Sequence, residues 1–190
     1  MEIGSLIVLV VVATSAFYGI ALYNGLVALK HNASKAWSNI DVLLKQRHDE
    51  LPKLVEVCKQ YMGFEKDTLE RVIKARSAVF SACENGDVTK VASADSQLRQ
   101  GLGNLFALAE NYPELKANTN FQHLRDRISE LENAIADRRE FYNESVNLNN
   151  VRIEQFPDLV IARLCGFQPR AMLEFLQEEK RDVDLKSLFS

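Results

Sequence analysis

Two groups of residues in this sequence have types and spacings that could do chemistry. The first is His48, Asp49 and Glu50 in "QRHDELPKLVEV", three adjacent titratable side chains of the kind that move protons. Asp49 and Glu50 are neighbours, so on a helix they project about 100° apart, which suits surface charge or a helix cap better than an acid–base pair. His48 to Leu51 also spells an organelle-retention signal, but such a signal is read only at a C-terminus. The second group is polar: Arg47, Arg138, Ser145, Asn149 and Arg152 sit where a helix should be apolar, with Tyr142, Asn143 and Asn150 beside them.

Other chemistries find little support. His31, His48 and His123 lie far apart with no metal-binding spacing, and Cys58, Cys83 and Cys165 form no CxxC or CxH pattern. If Cys58 and Cys83 share a helix, a rise of about 1.5 Å per residue puts them out of disulfide reach. Gly101 and Gly103 in "RQGLGNLF" lack the preceding strand and the GxGxxG spacing of a phosphate loop, so close helix packing or a weakened helix is the expected reading. No cofactor and no metal is expected, and the chain does not read as an enzyme. The formal net charge is -3 with both signs interspersed, which offers nucleic acid no electrostatic footprint.

The elements that must position these residues begin with a membrane anchor. Ile3 to Leu29 carries no charge, and a bilayer core needs roughly 20 apolar residues, so residues 1–29 read as an uncleaved transmembrane segment. A cleaved signal would want a basic start and an apolar run of about 7–15 residues. Glu2 precedes the span while Lys30, His31 and Lys35 follow it, which predicts a single-pass chain with its body in the cytoplasm and Met1 and Glu2 outside. Tyr18 and Tyr23 favour the headgroup level, placing the hydrocarbon edge near Tyr23 and Asn24. Within the span Ser15 with Gly19, and Ala21 with Gly25, have a small-xxx-small spacing. It is common in membrane helices and also permits close self-association.

Residues 30–156 then read as helices only. One apolar stripe runs Ala33, Trp37, Ile40, Leu44, Arg47, Leu51, Leu54, Cys58 and Tyr61, resumes from Leu69 to Val79, and stops at "ENGD", where Gly86 suits a C-terminal cap and Asp87 an N-cap. A second runs from Val91 to Tyr112 and is stopped by Pro113. A third runs Phe121, Leu124, Ile128, Leu131, Ile135, Arg138, Tyr142, Ser145, Asn149, Arg152 and Phe156, and is stopped by Pro157. No period-2 segment competes. The fold class is therefore all-α, a transmembrane helix followed by an antiparallel bundle of three or four long helices, the number depending on whether Pro52 kinks the first helix or breaks it. Residues 157–190 read as a short helix and a tail, rich in apolar residues, that folds back on the bundle, binds a partner or lies on the bilayer.

"YNGLVALKHNASKAWSNIDVLLKQRHDELPKLVEVCKQY", "ENYPELKAN" and "LENAIADRREFYNESVNLNNVRIEQFPDLVIARLCGF", with the "FQPR" turn and "VDL" near the end, resemble the LemA family over nearly the whole chain from Tyr23. The resemblance implies a bacterial inner-membrane protein with one N-terminal span and a cytoplasmic helical bundle. It supplies no catalytic residues. It further implies a link by gene neighbourhood to membrane-embedded zinc metalloproteases, and some relatives that organise intracellular membranes.

The polar positions of the third stripe must be partnered, solvated or at a contact surface, because burying them unpaired costs several kcal/mol. Either the bundle splays open there to water, or Arg138, Tyr142, Asn143, Asn149, Asn150 and Arg152, with Arg47, form a polar layer that recognises another chain or another copy. An Asn on a helical seam can specify register and oligomer state. The functional expectation is a non-catalytic scaffold or adaptor at the membrane, homo-oligomeric, presenting its bundle to a membrane protein such as a zinc metalloprotease. The alternatives are a homo-oligomer that shapes the membrane and an uncharacterised enzyme.

Overall fold

The structure, a computed structural model, describes residues 3–173. It is all-α, with no strand among the described residues. The helices are α1 (Ile3–Tyr61), α2 (Lys66–Glu84), α3 (Val88–Ala109), α4 (Pro113–Ala117), α5 (Thr119–Glu154) and α6 (Asp158–Leu164). Four of them are long, α1, α2, α3 and α5, the second separated from the first at residues 62–65 and not at Pro52. The outward placing of Met1 and Glu2 and the tail beyond residue 173 lie outside the described residues.

The chain forms two compact units, and α1 and α5 each run through both. The first unit holds α1 up to Asn39 together with Arg138–Met172. Here α1 begins as a helix apolar on every side, with Ile3, Leu6, Ile7, Val8 and Leu9 all exposed. Further along it acquires a buried face: Leu26 packs with Ile153 and Ala162, and Ile161 and Phe167 close over that cluster. The chain turns back after α6 through Gly166, whose φ of 71° is the left-handed conformation glycine adopts without strain. The Phe167 N–H then donates to the Ala162 carbonyl at 2.9 Å, a helix-terminating bond accompanied by the apolar contact such caps carry.

The second unit holds Ile40–Asp137 with Leu173. Its part of α1 buries Ile40, Leu44, Arg47, Leu51, Leu54 and Cys58, the stripe read from the sequence. Pro52 neither breaks nor restarts the helix, which continues to Tyr61. The proline ring faces solvent, while Leu51, Leu54 and Val55 on the buried side hold the register across the missing N–H. The interruption falls later, at residues 62–65, where Gly63 and the 99% exposed Phe64 supply no buried stripe. The α2–α3 hairpin turns as the capping residues require. Gly86 has φ 64°, the Asp87 N–H donates to the Ala82 carbonyl at 3.2 Å, and the Asp87 side chain accepts from the Lys90 N–H at 3.0 Å.

The third stripe changes phase in the structure. Within the second unit Phe121, Ile128, Leu131 and Ile135 are buried as expected. Within the first unit the buried residues are Arg139, Tyr142, Ser145, Val146, Asn149 and Ile153, whereas Arg138 and Arg152 are exposed. A strict three-four alternation repeats every 3.5 residues, and a straight helix turns once every 3.6, so the buried face drifts about 20° per heptad. At Arg138, about two and a half heptads past Phe121, the drift is roughly 50° and Arg139 is the buried neighbour; at Arg152, about four and a half heptads along, it is roughly 90° and Ile153 is buried instead.

Gly101 and Gly103 both lie inside α3. A Cβ at Gly101 would meet Val72 Cγ2 of α2 at 3.5 Å, an ordinary packing distance, and one at Gly103 would meet open space. Neither residue cradles anything. Gly103→Ala should therefore stabilise the protein by about 0.5–1 kcal/mol, read as a raised denaturant midpoint at unchanged slope; a loss of stability would show that α3 needs the bare backbone there.

Candidate functional site

In the second unit the polar interruption of α1 is an ion cluster. Arg47 is 1% exposed. Its Nη2 donates to Asp95 Oδ1 of α3 and its Nη1 to Glu132 Oε1 of α5, while Arg99 Nε lies 3.3 Å from Glu132 Oε2. A guanidinium suits this place because its fork can serve two carboxylates at once. Burial disfavours its charge, yet Asp95 and Glu132 outweigh that and raise its pKa further. Glu132 is held above the ordinary carboxylate range, chiefly by its own burial and against the pull of Arg47. The cluster joins three helices and is buried, so Arg47, expected among the contact residues, has its partners inside the chain.

His48 belongs to the same unit. Its Nε2 lies 2.7 Å from Arg76 Nη2, which donates, and its carbonyl accepts from Arg76 Nε at 2.9 Å. The ring stacks on Phe80 at 4.6 Å. Burial first, and then the neighbouring guanidinium, lower its pKa against the opposing pull of Asp49, so the imidazole is neutral and accepts through Nε2. Glu50 pairs with Lys53 at 2.9 Å. The three residues that opened the sequence reading are thus packing, surface and ion-pair groups. Cys58 and Cys83 are free thiols, each pushed up to about 11 by burial, and thiols so shifted are poor nucleophiles. Among the described residues no group of three or more His, Cys, Asp or Glu is placed to hold a metal.

The first unit contains the remaining polar positions, and most of them fasten the chain to itself. Tyr142 packs against Trp37 with the rings tilted by 58° and their centroids 5.5 Å apart, and its hydroxyl donates to the Ala171 carbonyl at 2.9 Å. Asn150 clamps Arg170 twice, accepting from its N–H and donating to its carbonyl, each at 2.9 Å. Asn149 is buried and donates to Asn150 Oδ1 at 3.2 Å, and Arg152 Nε donates to the buried Asp158 Oδ1 at 2.8 Å. Together these bonds fold residues 158–172 back on the end of α5. Asn143 is half-buried beside them.

One face of α5 in this unit stays open to solvent. Arg138, Phe141, Glu144, Ser145 and Leu148 line a cleft of about 500 Å³ with Leu29, Asn32, Lys35 and Asn39 of α1. Phe141 and Leu148 are each about half exposed, one helical face seven residues apart. In the span, a Cβ at Gly19 or at Gly25 would meet open space, so neither glycine is covered.

A single N-terminal helix long and apolar enough to cross a membrane, continuing into a body that is helical throughout the described residues, fits a membrane-anchored helical protein. Residues 36–186 match the LemA family, and the chain belongs to it. Magnetosome protein MamQ 2 of Paramagnetospirillum magneticum is 26% identical, the likeness covering 92% of this chain and 72% of that protein. MamQ of Magnetospirillum gryphiswaldense is 24% identical over 77% of this chain and 62% of its own length. Protein LemA of Metamycoplasma hominis is 28% identical over 87% of this chain and 74% of its own.

The ion cluster generates two predictions. Arg47→Met should cost about 3–5 kcal/mol in chemical unfolding by removing the buried guanidinium that Asp95 and Glu132 share, while adding Asp95→Leu and Glu132→Leu should restore most of the loss. Failure of the triple variant to recover would mean that the cluster specifies the fold. A carboxylate whose folded pKa is raised favours the folded state while protonated, and that contribution disappears as pH rises through the shifted value. The stability of the native chain relative to Glu132→Gln should therefore fall as pH rises from the ordinary glutamate range toward neutrality; the opposite slope would mean that Arg47 outweighs burial.

Proposed function

We propose that this chain is a non-catalytic scaffold of the bacterial inner membrane, homo-oligomeric, presenting a cytoplasmic helical face to a membrane protein such as an embedded zinc metalloprotease. The observation that carries the reading is how the anchor meets the body. α1 leaves its apolar stretch without a break, and within one unit Leu26 is already locked to Ile153 of α5 and Ala162 of α6. A side chain on the adjoining α5 face is thereby held at a fixed height above the bilayer, which suits recognition of a membrane-embedded partner. Phe141 and Leu148, flanked by Arg138, Glu144 and Lys35, supply apolar anchors with a charged rim. The cytoplasmic side is supported by Lys30, His31 and Lys35 just beyond the span. Self-association would use small residues of α1 that stand uncovered, Ser15 with Gly19 on one face or Ala21 with Gly25 on another.

A second reading, a homo-oligomer that organises the membrane itself, is favoured by the relatives named as magnetosome proteins. The two readings diverge in the mass and composition of complexes extracted from native membranes with the tagged full-length chain. The scaffold reading expects a second protein at fixed ratio that is lost on Phe141→Ser with Leu148→Ser; a large assembly of this chain alone would select membrane organisation, and a bare monomer would contradict both.

A further inference from the structure

The first unit holds a second cleft, of about 460 Å³, on another side of α1. Tyr23, Val27, Lys30 and His31 line it from α1, Asn149 from α5, and the backbone-clamped turn Cys165–Arg170 closes it. Its lining contains Lys30, His31 and Arg170 and no carboxylate. That is unusual in a chain whose acids outnumber its bases, 26 to 23. Elsewhere in this unit the exposed Arg152 is neutralised by Asp158.

Position along α1 sets the level of this cleft. Tyr23 is at the expected edge of the hydrocarbon and packs edge-on against Phe167 at 5.9 Å, and Lys30 lies roughly 10 Å further along the axis. Side chains of a helix lean toward its N-terminus, so Lys30 reaches back toward the bilayer. Around the same turn Phe156 is 81% exposed and Leu164 78%, with Val160 half exposed beside them. Apolar side chains left uncovered beside a membrane span are placed to enter the interface.

We propose that this cleft binds the phosphate of an anionic phospholipid headgroup in the leaflet facing the bundle, with Lys30 and Arg170 as the cationic contacts and Phe156 and Leu164 seated among the acyl chains. The inference rests on the anchoring of α1 in a bilayer and not on the scaffold role. Its failure and the failure of the scaffold are therefore separately visible. The turn that carries Arg170 is preorganised, because Asn150 holds the Arg170 backbone from both sides.

Native mass spectrometry of the full-length chain, released from neutral micelles containing equal phosphatidylglycerol and phosphatidylcholine, counts the lipid retained. One phosphatidylglycerol per chain is expected in preference to phosphatidylcholine. Lys30→Gln with Arg170→Gln should weaken its retention about thirtyfold, two charges' worth at a membrane surface. Lys30→Arg with Arg170→Lys should retain it, which separates loss of charge from loss of fold, and Lys45→Gln with Lys74→Gln should change nothing. Equal retention of both lipids, indifference to the Lys30 and Arg170 charges, or displacement by inorganic phosphate at equal concentration would each overturn the headgroup assignment.

Discussion

The rest of the structure depends on α1 meeting two solvents within one uninterrupted helix: apolar side chains on every face from Ile3 onward, then a single buried stripe that starts at Leu22 and Leu26. In hydrocarbon the helix needs no side-chain partner, because its backbone bonds are internal. Beyond it, one face must be covered, and Ile153 and Ala162 do this within the first unit. The transition takes about one helical turn. Lys30, His31, Lys35 and the aromatic ring of Tyr23 lie next to it.

Polar residues inside this bundle work mainly as fasteners. In the second unit Arg47 is paired with two carboxylates from different helices, which fixes how α1, α3 and α5 align there. An ion cluster of this kind adds little net stability compared with an apolar core, but it penalises any arrangement in which one member loses its partner. In the first unit Tyr142, Asn150 and Arg152 hold residues 158–172 against α5 through four hydrogen bonds, so a seven-residue helix and an irregular segment take up a defined path. The cleft that contains Lys30 and Arg170 exists because of that path.

Much of this was legible in the sequence, and the parts that were not have physical reasons. The stripe from Ala33 to Cys58 and the Gly86–Asp87 turn follow from local periodicity and capping, which need only neighbours within one or two turns. Arg47 announced itself as an interruption of the stripe. Its partners did not, since Asp95 and Glu132 are 48 and 85 residues away and carry no local signal. Whether Pro52 kinks or breaks α1 was left open by the sequence; its ring faces outward and the helix runs on to Tyr61, just before Gly63 and the exposed Phe64. In α5 a choice between steps of three and four residues decided whether Arg138 or Arg139 is buried, and periodicity alone cannot fix it once the face has drifted through several heptads. Residues 158–172, part of the segment for which three readings were open, are held to α5 by side chains whose bonds to distant backbone no pattern predicts.

Hydrogen exchange of the full-length chain in lipid nanodiscs, resolved across residues 20–40, tests the central claim most directly. Continuous slow exchange from the apolar stretch into the Leu26, Ala33 and Ile40 region is predicted, because α1 passes from bilayer to bundle without a joint. A rapidly exchanging segment between residues 24 and 35 would show a flexible hinge there and contradict the account.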